Sequence, residues 1–550
     1  MGRFPKLGTE LSPDFRNSYN TGTDLVDQEL EKQKQRVDDL IMGVEQPSEV
    51  VDARGEFNLL SERLNSTDAQ LAHNAKKLDP SWTYVKNESE LVEALTTVNR
   101  IKLIDNIITI LPLTLLDGTH LDFNGFQIHS NHSGKTFNDV NDCVIYNLDC
   151  YSNFGAEMAY SADNTCIKAT NTKIFKANVS GYGSDAIILN GECYSDLIIS
   201  DDIRDNPLVM YGSYNEVGEI MCGVSAGDFI LIKGDNNKIF KASCKLAGSR
   251  TDQTNFTAGS GIVIGADGVT ANNNYIGEVH IDKWGAYLFN IDGNNNVINS
   301  IKGDTSYYTD TYPVAGSTNP VRVGYMAQSN NKVNIVKVNS SPRGLSFAGS
   351  NNEVGSFSAN TITKKSVVSI ELATSSNNKI GSIKIKEVSD GEDAFRLYGD
   401  NTFIGEMLVD LIKGGGSGVL KSYGANVKLG VVKIYGDGTT TSGHFGFLAS
   451  QDLEIGSITV WNYKGCLLNV TKKCTVGQYN LKNMSDAWDN IMIINVSDGS
   501  KFLVTNSRIV DNQGTKPVRV LGNANVLFSN NLAVNAVNGG TGTVTNVNNF

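Results

Sequence analysis

Two aspartates occupy the same position in two consecutive copies of a short repeat. Asp282 lies five residues after Gly277, and Asp304 lies five residues after Asn299. If the two copies form adjacent turns of one structure, equal offsets place both carboxylates on one face, about 4.8 Å apart. Carboxyl groups about 5 Å apart hydrolyse glycosidic bonds with retention, and groups about 6.5–9.5 Å apart do so with inversion. Side chains that start from this spacing reach either separation. Such close like charges also favour a proton on one carboxyl, as a general acid requires.

The spacing between repeat copies is unusually long on both sides of this pair. It is 37 residues before Gly277 and 35 residues after Asn299, whereas the other copies are 20–26 residues apart. The excess predicts two loops, 247–260 and 305–318, which flank a strip without insertions. Loops carried by a rigid scaffold are common places for binding. The side chains that could hold a sugar ring or an anionic polymer here are Trp284, Lys283, Arg250, Tyr307, Tyr308 and Tyr312.

The same residues also admit less specific interpretations. The chain has 59 acidic residues, so the equal offsets could be a coincidence, and the loops could serve trimer contacts or passive binding alone. A second acidic stretch, Ser200–Asp205, could carry the chemistry or bind a cation. The alternative catalytic candidates are Asp201, Asp202, Asp252 and Asp310. His280 is interpreted as structural. No catalytic triad, P-loop, HExxH or dinucleotide motif occurs. The sequence therefore predicts no cofactor and identifies no metal ligands, and a bound divalent cation stays an alternative.

The repeat that positions these side chains has the form N-N-x-[IV]-G-x-[IV]-x-[IV]. It occurs at 273–281, 351–355 and 377–385, with looser copies between and beyond them. A period of 20–26 residues with short alternating strands predicts an all-β fold, a right-handed parallel β-helix with three short strands per coil. The paired Asn residues are expected to stack as an amide ladder, and the Gly to allow a bend. The predicted anchors are Phe175, Ile198, Gly218, Phe240, Gly277, Asn299, Asn334, Gly355, Gly381, Gly405, Gly430, Gly456 and Gly477.

The first 80 residues have a different pattern. Apolar positions spaced 4, 3, 4, 3, 4 from Val26 to Val44 predict a coiled coil over 24–46, with an N-cap at Thr23-Asp24. A weaker seam of the same spacing runs from Leu60 to Leu78. A single strand of a coiled coil cannot bury its seam, so both segments predict an oligomer. The alternative is an amphipathic helix that packs on its own domain.

The predicted order of segments along the whole chain is an N-terminal attachment segment (1–23), the coiled coil (24–46), a neck with the second seam (47–80), a capping segment with the first coils (81–130), the parallel β-helix (131–503) and a C-terminal cap or trimer segment (504–550).

The neck carries a recognisable motif. The segment Glu49–Phe57 reads EVVDARGEF, and Leu60–Leu64 reads LSERL. This resembles the neck of tailspike and tail appendage proteins, including preneck appendage proteins, of phages that infect Gram-positive bacteria. The resemblance covers about 16 residues and implies a pectin-lyase-like β-helix in a homotrimeric virion fibre, assembled in the host cytoplasm. It implies an N-terminus that binds the phage tail or collar. It also implies a body that meets the host cell wall. Because the β-helices of such appendage proteins often carry depolymerase sites, the resemblance and the flanked acidic pair together favour binding of a host glycopolymer, either wall teichoic acid or capsular polysaccharide, and its depolymerisation as a hydrolase rather than a lyase.

Composition excludes several other classes. The net charge is −12 with no basic stripe, which argues against nucleic acid as a partner. Neither a signal-peptide core nor an 18-residue apolar run occurs, so export and membrane insertion are not expected. The eight Cys are dispersed without CxxC pairs, which predicts buried reduced thiols. Two alternatives to a phage depolymerase remain: a receptor-binding tail fibre without enzymatic activity, and a cell-encoded pectate-lyase-like enzyme or adhesin.

Overall fold

A computed structural model describes most of the chain between Pro13 and Val547. The described residues are 13–42, 81–153, 163–249, 259–308, 321–364, 366–389, 394–413, 419–436, 444–449, 451–462, 465–470, 474–482, 492–496, 501–505, 508–509, 518–521, 525–529, 536–538 and 544–547. The chain divides into two units, Met1–Trp82 and Thr83–Phe550.

The first unit contains one described helix, Pro13–Met42. It begins ten residues before the predicted N-cap at Thr23, whose hydroxyl instead donates to the carbonyl of Asn20 inside the helix. The helix therefore includes part of the predicted attachment segment. Val26 and Val37 of the predicted seam are about half exposed on the single chain. Association into a coiled coil stays a prediction, and the neck motif and second seam lie outside the described residues. No described helix is both long and apolar enough to cross a membrane.

The second unit is a parallel β-solenoid of about 13 turns. Its described residues form one sheet of 24 strands, in which each strand pairs in parallel with its equivalent in the next turn. These strands are Thr83–Val85, Arg100–Leu103, Ile107–Thr109, His120–Asp122, Ile128–Ser130, Val144–Tyr146, Leu148–Ser152, Lys173–Ser180, Tyr194–Asp201, Glu216–Ser225, Lys238–Ala247, Tyr275–Trp284, Val297–Ser306, Lys332–Ser341, Glu353–Ile362, Lys379–Val388, Phe403–Ile412, Val427–Gly436, Leu453–Trp461, Cys474–Lys482, Lys501–Thr505, Arg508–Ile509, Asn525–Ser529 and Val544–Val547. The right-handed winding expected from the sequence stays a prediction.

A second parallel sheet closes the other side of each turn. Its described strands are Val140–Asn141, Ile167–Thr170, Ile187–Leu189, Leu208–Met210, Ile230–Ile232, Ile262–Ile264, Tyr287–Ile291, Arg322–Met326, Leu345–Phe347, Val368–Ile370, Phe395–Leu397, Leu420–Ser422, His444–Ala449, Gly465–Val470, Met492–Val496, Val518–Leu521 and Ala536–Asn538. The inward side chains of both sheets form one continuous apolar core along the axis. Because each turn buries its apolar face against its neighbours, the core extends with the number of turns.

Most full turns have one ten-residue strand and one short strand of the second sheet, where the sequence predicts three short strands. Glu216–Ser225 is a ten-residue strand whose register with Lys238–Ala247 skips a residue at Gly218 and again at Gly223. These two bends divide the strand into three short segments without breaking it. The bends also place inward side chains out of strict alternation, since Cys222 and Ser225 are both buried although three residues apart.

The predicted anchors lie in one column at the first bend, with one correction. Pairing aligns Gly218, Phe240 and Gly277 as predicted, but the residue aligned with them in the preceding turn is Asp196 rather than Ile198. A Cβ at Gly381 would lie 2.3 Å from the carbonyl oxygen of Gly355, so glycine relieves a close approach there. Phe240 occupies the same column, so glycine is favoured at the bend without being required.

The paired Asn residues do two different things. The first of each pair adopts a left-handed backbone, as Asn351 does with a φ of 57°, which turns the chain into the strand. The second is buried and accepts a hydrogen bond from the turn before it: Asn331 N donates to Asn352 Oδ1 at 2.9 Å, and Asn352 N donates to Asn378 Oδ1 at 2.9 Å. The predicted amide ladder is therefore present. Its described members are Asn215, Asn237, Asn274, Asn296, Asn331, Asn352 and Asn378.

The two ends of the solenoid differ. The Thr83–Val85 strand and the Glu88–Thr97 helix precede the first turns, and the helix buries Leu91 and Leu95 as a cap on the open core. Asn87 caps this helix by accepting from Glu90 N at 2.9 Å. At the other end, parallel pairing continues to Val544–Val547, so the described strands beyond 503 extend the solenoid.

The cysteines with described side chains are buried free thiols, as predicted. They are Cys143, Cys150, Cys166, Cys193, Cys222 and Cys244. Burial raises the pKa of the Cys244 thiol, which keeps the group protonated at neutral pH. The side chains of Cys466 and Cys474 lie outside the described residues.

Candidate functional site

The long strands Tyr275–Trp284 and Val297–Ser306 bring Asp282 and Asp304 side by side. Ile281 pairs with Gly303 and Lys283 pairs with Thr305, so the two aspartates occupy the same place at the second bend of adjacent turns. Each carboxylate side chain is 49% exposed. The bend turns both side chains outward, which is the placement that the equal offsets predicted. Their chemical role stays a prediction.

His280 completes a three-residue cluster that the sequence pattern did not identify. Its Nε2 lies 3.4 Å from Asp282 Oδ1 and 3.9 Å from Asp304 Oδ1. The donor atoms of all three side chains lie within 4.8 Å of one another. His280 was interpreted as structural because its strand neighbours alternate inward and outward. The signal that could have found it is the same alternation: residues two apart on a strand share a face, so His280 and Asp282 point the same way.

His280 and Asp282 of the cluster line one end of a groove of about 390 Å³. The alternative candidate Asp201 lines the other end, with Lys245 between them in the same column. Asp201 is three turns from Asp282, or about 14 Å along the stacking direction, which is too far for one carboxyl pair. Its Oδ1 also accepts from Val224 N and Asp202 N, both at 2.9 Å, so it supports the bend. The groove is lined by Ile199, Ser200, Asp201, Met221, Cys222, Gly223, Ser243, Cys244, Lys245, His280 and Asp282.

The predicted role of Trp284 as a sugar-binding platform is wrong. Its side chain is fully buried, because the second bend places both Ile281 and Trp284 on the inner face. The indole packs over Gly303 of the next turn, where an added Cβ would lie 2.6 Å from the ring. The sequence pattern could not reveal this, since simple alternation from Asp282 would place residue 284 outside.

The other predicted binding residues divide into two groups. Lys283 is exposed, and Tyr307 is 46% exposed with its ring edge-on to Tyr308 at a centroid distance of 4.8 Å. Tyr308 itself packs against Ala286 and is partly buried. The remaining predicted residues, Arg250, Asp252, Asp310 and Tyr312, lie outside the described residues. So does most of the two predicted loops.

A second set of carboxyls lies at the turns that lead into the second sheet. Asn206 Nδ2 donates to Asp185 Oδ1 at 2.6 Å, Asp228 N donates to Asn206 Oδ1 at 2.8 Å, and Ser260 N donates to Asp228 Oδ1 at 2.6 Å. Burial raises the pKa of Asp228 well above its ordinary value, and nearby Asp205 raises it further. Burial also raises the pKa of Asp185. The sequence pattern gives no sign of this column because its members have no repeated neighbours.

Asp228→Asn is expected to stabilise the protein at neutral pH. Because the pKa of Asp228 is raised in the folded state, the folded chain binds more protons than the unfolded chain, and stability falls as pH rises from about 4 through the folded pKa. The amide keeps an acceptor for Ser260 N and removes the cost of a buried charge. We expect a gain of about 1–3 kcal/mol at pH 7.5 and little change near pH 4. Thermal unfolding at both pH values measures it, with exposed Asp410→Asn as the control. Equal effects of the two substitutions at pH 7.5 would contradict the assignment.

Comparisons with known proteins return no relative of this chain. No family model, no curated protein and no solved structure matches it. Its function is therefore inferred from the geometry of the groove and of the His280, Asp282 and Asp304 cluster. Two carboxylates and an imidazole at this separation can transfer protons, attack an electrophilic carbon or bind a cation.

Proposed function

We propose that this protein binds a glycopolymer of a bacterial host surface along the solenoid and hydrolyses it at Asp282 and Asp304. The observation that carries the proposal is the placement of these two exposed carboxylates on adjacent turns, at the end of a groove and next to His280. One carboxyl would donate a proton to the leaving oxygen while the other acts as the nucleophile. Their oxygens lie within 4.8 Å of each other, which favours the retaining geometry over the inverting one.

Three grooves of the long-strand sheet follow the same columns of residues. The groove at the cluster shares Ile199 with a second groove, also of about 390 Å³, and a third of about 290 Å³ continues the columns of His280 and Asp282 at Lys384 and Asp410. An extended polymer laid along the axis could contact all three. The second groove is lined by Asp122, Asn124, Gly125, Asn147, Leu148, Asp149, Lys176, Asn178 and Ile199.

The residues that pair with His280 in successive turns form a column, and the charges in this column favour an anionic polymer. Lys302 and Lys337 follow His280 on the next two turns, one directly above the other, and both are exposed. Like charges directly opposite each other destabilise a sheet, so a bound anion would relieve this repulsion. Neither lysine has an ion-pair partner among the described residues. A polymer that carries phosphate or carboxylate groups would supply the missing charge.

The proposal includes a homotrimeric fibre of the tail appendage type, with an N-terminus that binds the phage tail or collar. Its support is the neck motif at Glu49–Phe57 and the exposed apolar seam of the Pro13–Met42 helix. Light scattering on the purified full chain is expected to give a mass of three 59.4-kDa chains. A monomer would contradict the trimeric fibre but would not bear on the proposed hydrolysis at Asp282 and Asp304.

The experiment that tests hydrolysis is a spot assay on bacterial lawns. Purified protein is expected to produce a halo of thinned surface polymer and to release soluble fragments from isolated cell walls of the same strain. Binding to the walls without fragment release would support the second candidate, a receptor-binding fibre without enzymatic activity. Activity on pectin-type glycans in place of bacterial surface polymers would support a cell-encoded enzyme instead.

A further inference from the structure

The His280, Asp282 and Asp304 cluster has a feature that proton transfer alone does not explain. The Nε2 atom of His280 is buried, yet it makes no hydrogen bond with any described residue. Asp304 Oδ1 is 3.9 Å away, which is beyond hydrogen-bond distance, and Asp282 Oδ1 at 3.4 Å is too poorly aligned for a hydrogen bond, although the His280 side chain as a whole is 45% exposed. A buried polar atom without a partner costs free energy. An occupant between the three side chains would remove that cost.

One of the three separations matches that of ligands around one ion, and the other two are longer, up to 4.8 Å. With metal–ligand bonds of about 2.1 Å, neighbouring ligands lie about 3.0 Å apart in octahedral sites and about 3.4 Å apart in tetrahedral ones. His280 Nε2 and Asp282 Oδ1 are 3.4 Å apart, and the third donor, Asp304 Oδ1, is within 3.9 Å of the nitrogen. Rotation of the two half-exposed carboxylates would be needed to bring all three donors to one centre. Among the described residues, this is the single group of three such side chains with that proximity.

We infer that His280, Asp282 and Asp304 bind one divalent transition-metal ion. An imidazole nitrogen with two carboxylates suits Zn²⁺ or Mn²⁺ better than Ca²⁺ or Mg²⁺, which prefer all-oxygen sites. Three protein ligands leave at least one position open to water or to a substrate oxygen. The half-exposed side chains allow the ion to enter from the groove.

The inference deepens the proposed hydrolysis, because a bound ion changes how the cleavage would proceed. It rests on the proposed function only where it concerns cleavage of the polymer. With an ion bound, Asp282 and Asp304 would be ligands in place of acid and nucleophile, and the ion would supply a bound water as the nucleophile. Such chemistry can cleave a phosphodiester as well as a glycosidic bond. It therefore fits the anionic polymer that the lysine column favours. Ion binding itself needs no polymer and is tested without one.

The test uses the full, untagged chain after treatment with a chelator. Titration calorimetry with ZnCl₂ and with MnCl₂ at pH 7.5 is expected to show one ion per chain, and a parallel titration with CaCl₂ to show much weaker binding. His280→Gln, Asp282→Asn and Asp304→Asn should each weaken binding by about 10- to 100-fold or more. Asp410→Asn is the matched control, because it lies in the same column four turns from Asp304 and is also exposed to solvent.

Three results would overturn the inference: no measurable binding of either transition metal, equal binding by the control and the three variants, or preference for Ca²⁺. Thermal unfolding of each variant without metal checks that the fold is retained. If no ion binds but Asp282→Asn still abolishes polymer cleavage, the carboxyl pair stands and the metal is rejected. If the ion binds but no polymer is cleaved, the metal site stands and the hydrolytic function is rejected.

Discussion

Asp282→Asn and Asp304→Asn are each expected to lower polymer turnover by about 10²- to 10⁴-fold. Either substitution removes a carboxyl that transfers a proton, attacks the substrate or holds an ion, while the amide keeps nearly the same shape. Folding should change little, because both side chains are half exposed and make no described hydrogen bond that supports a turn. The measurement is the rate of soluble fragment release from host cell walls, with thermal unfolding of each variant alongside.

Asp117→Asn provides the control for this pair. It changes an exposed aspartate that lines none of the three grooves, so it has the same effect on net charge without touching the cluster or the proposed path of the polymer. Turnover by this variant should stay within about twofold of the unaltered chain, because isolated surface charges interact weakly. Full activity in both cluster variants would remove Asp282 and Asp304 as catalytic residues. Attention would then move to Asp201 and Asp202, or to a cleft between protomers.

Asn352→Ala is expected to cost about 3–5 kcal/mol of stability. The substitution leaves the buried N–H of Asn331 without its acceptor and removes one of the two donors to the carbonyl of Gln328, which keeps Asn331 Nδ2 at 3.2 Å. The unsatisfied N–H costs about 1–3 kcal/mol, the lost hydrogen bond to Gln328 about 0.5–1.5 kcal/mol, and the lost volume adds a cavity term. Because turns stabilise their neighbours, the loss should open the solenoid locally. Hydrogen exchange of the turns on either side and the first thermal transition measure it.

The neighbouring residue gives a close comparison. Asn351 is exposed and has a left-handed backbone with a φ of 57°, which glycine adopts without strain. Asn351→Gly should therefore change stability by less than about 1 kcal/mol. If Asn351→Gly and Asn352→Ala destabilise the protein equally, the ladder does not hold the turns together. The backbone turn would then be the important feature of the Asn pair.

The sequence alone determined the repeat architecture, because the pattern that encodes it is local. Each turn needs a left-handed residue, a buried amide and inward apolar residues, and the pair Asn351-Asn352 supplies the first two at a fixed offset from Gly355. Pairing in parallel then follows from the period. For the same reason, equal offsets from Gly277 and Asn299 were enough to place Asp282 beside Asp304.

The tertiary structure alone decided what depends on bends and on contacts between distant residues. The second bend of the long strand shifts the inward position by one residue, so Trp284 is buried although alternation places it outside. The turn that contains Tyr194–Asp201 fits the repeat poorly, so its register is set by pairing with the neighbouring turns. Asp196 and not Ile198 therefore aligns with Gly218. Asp185 and Asp228 lie in one column only because residues more than 20 positions apart in the sequence stack on each other in successive turns. Such contacts leave no periodic signal in a sequence, since they arise from the winding of the chain and not from the spacing of residue types within one turn.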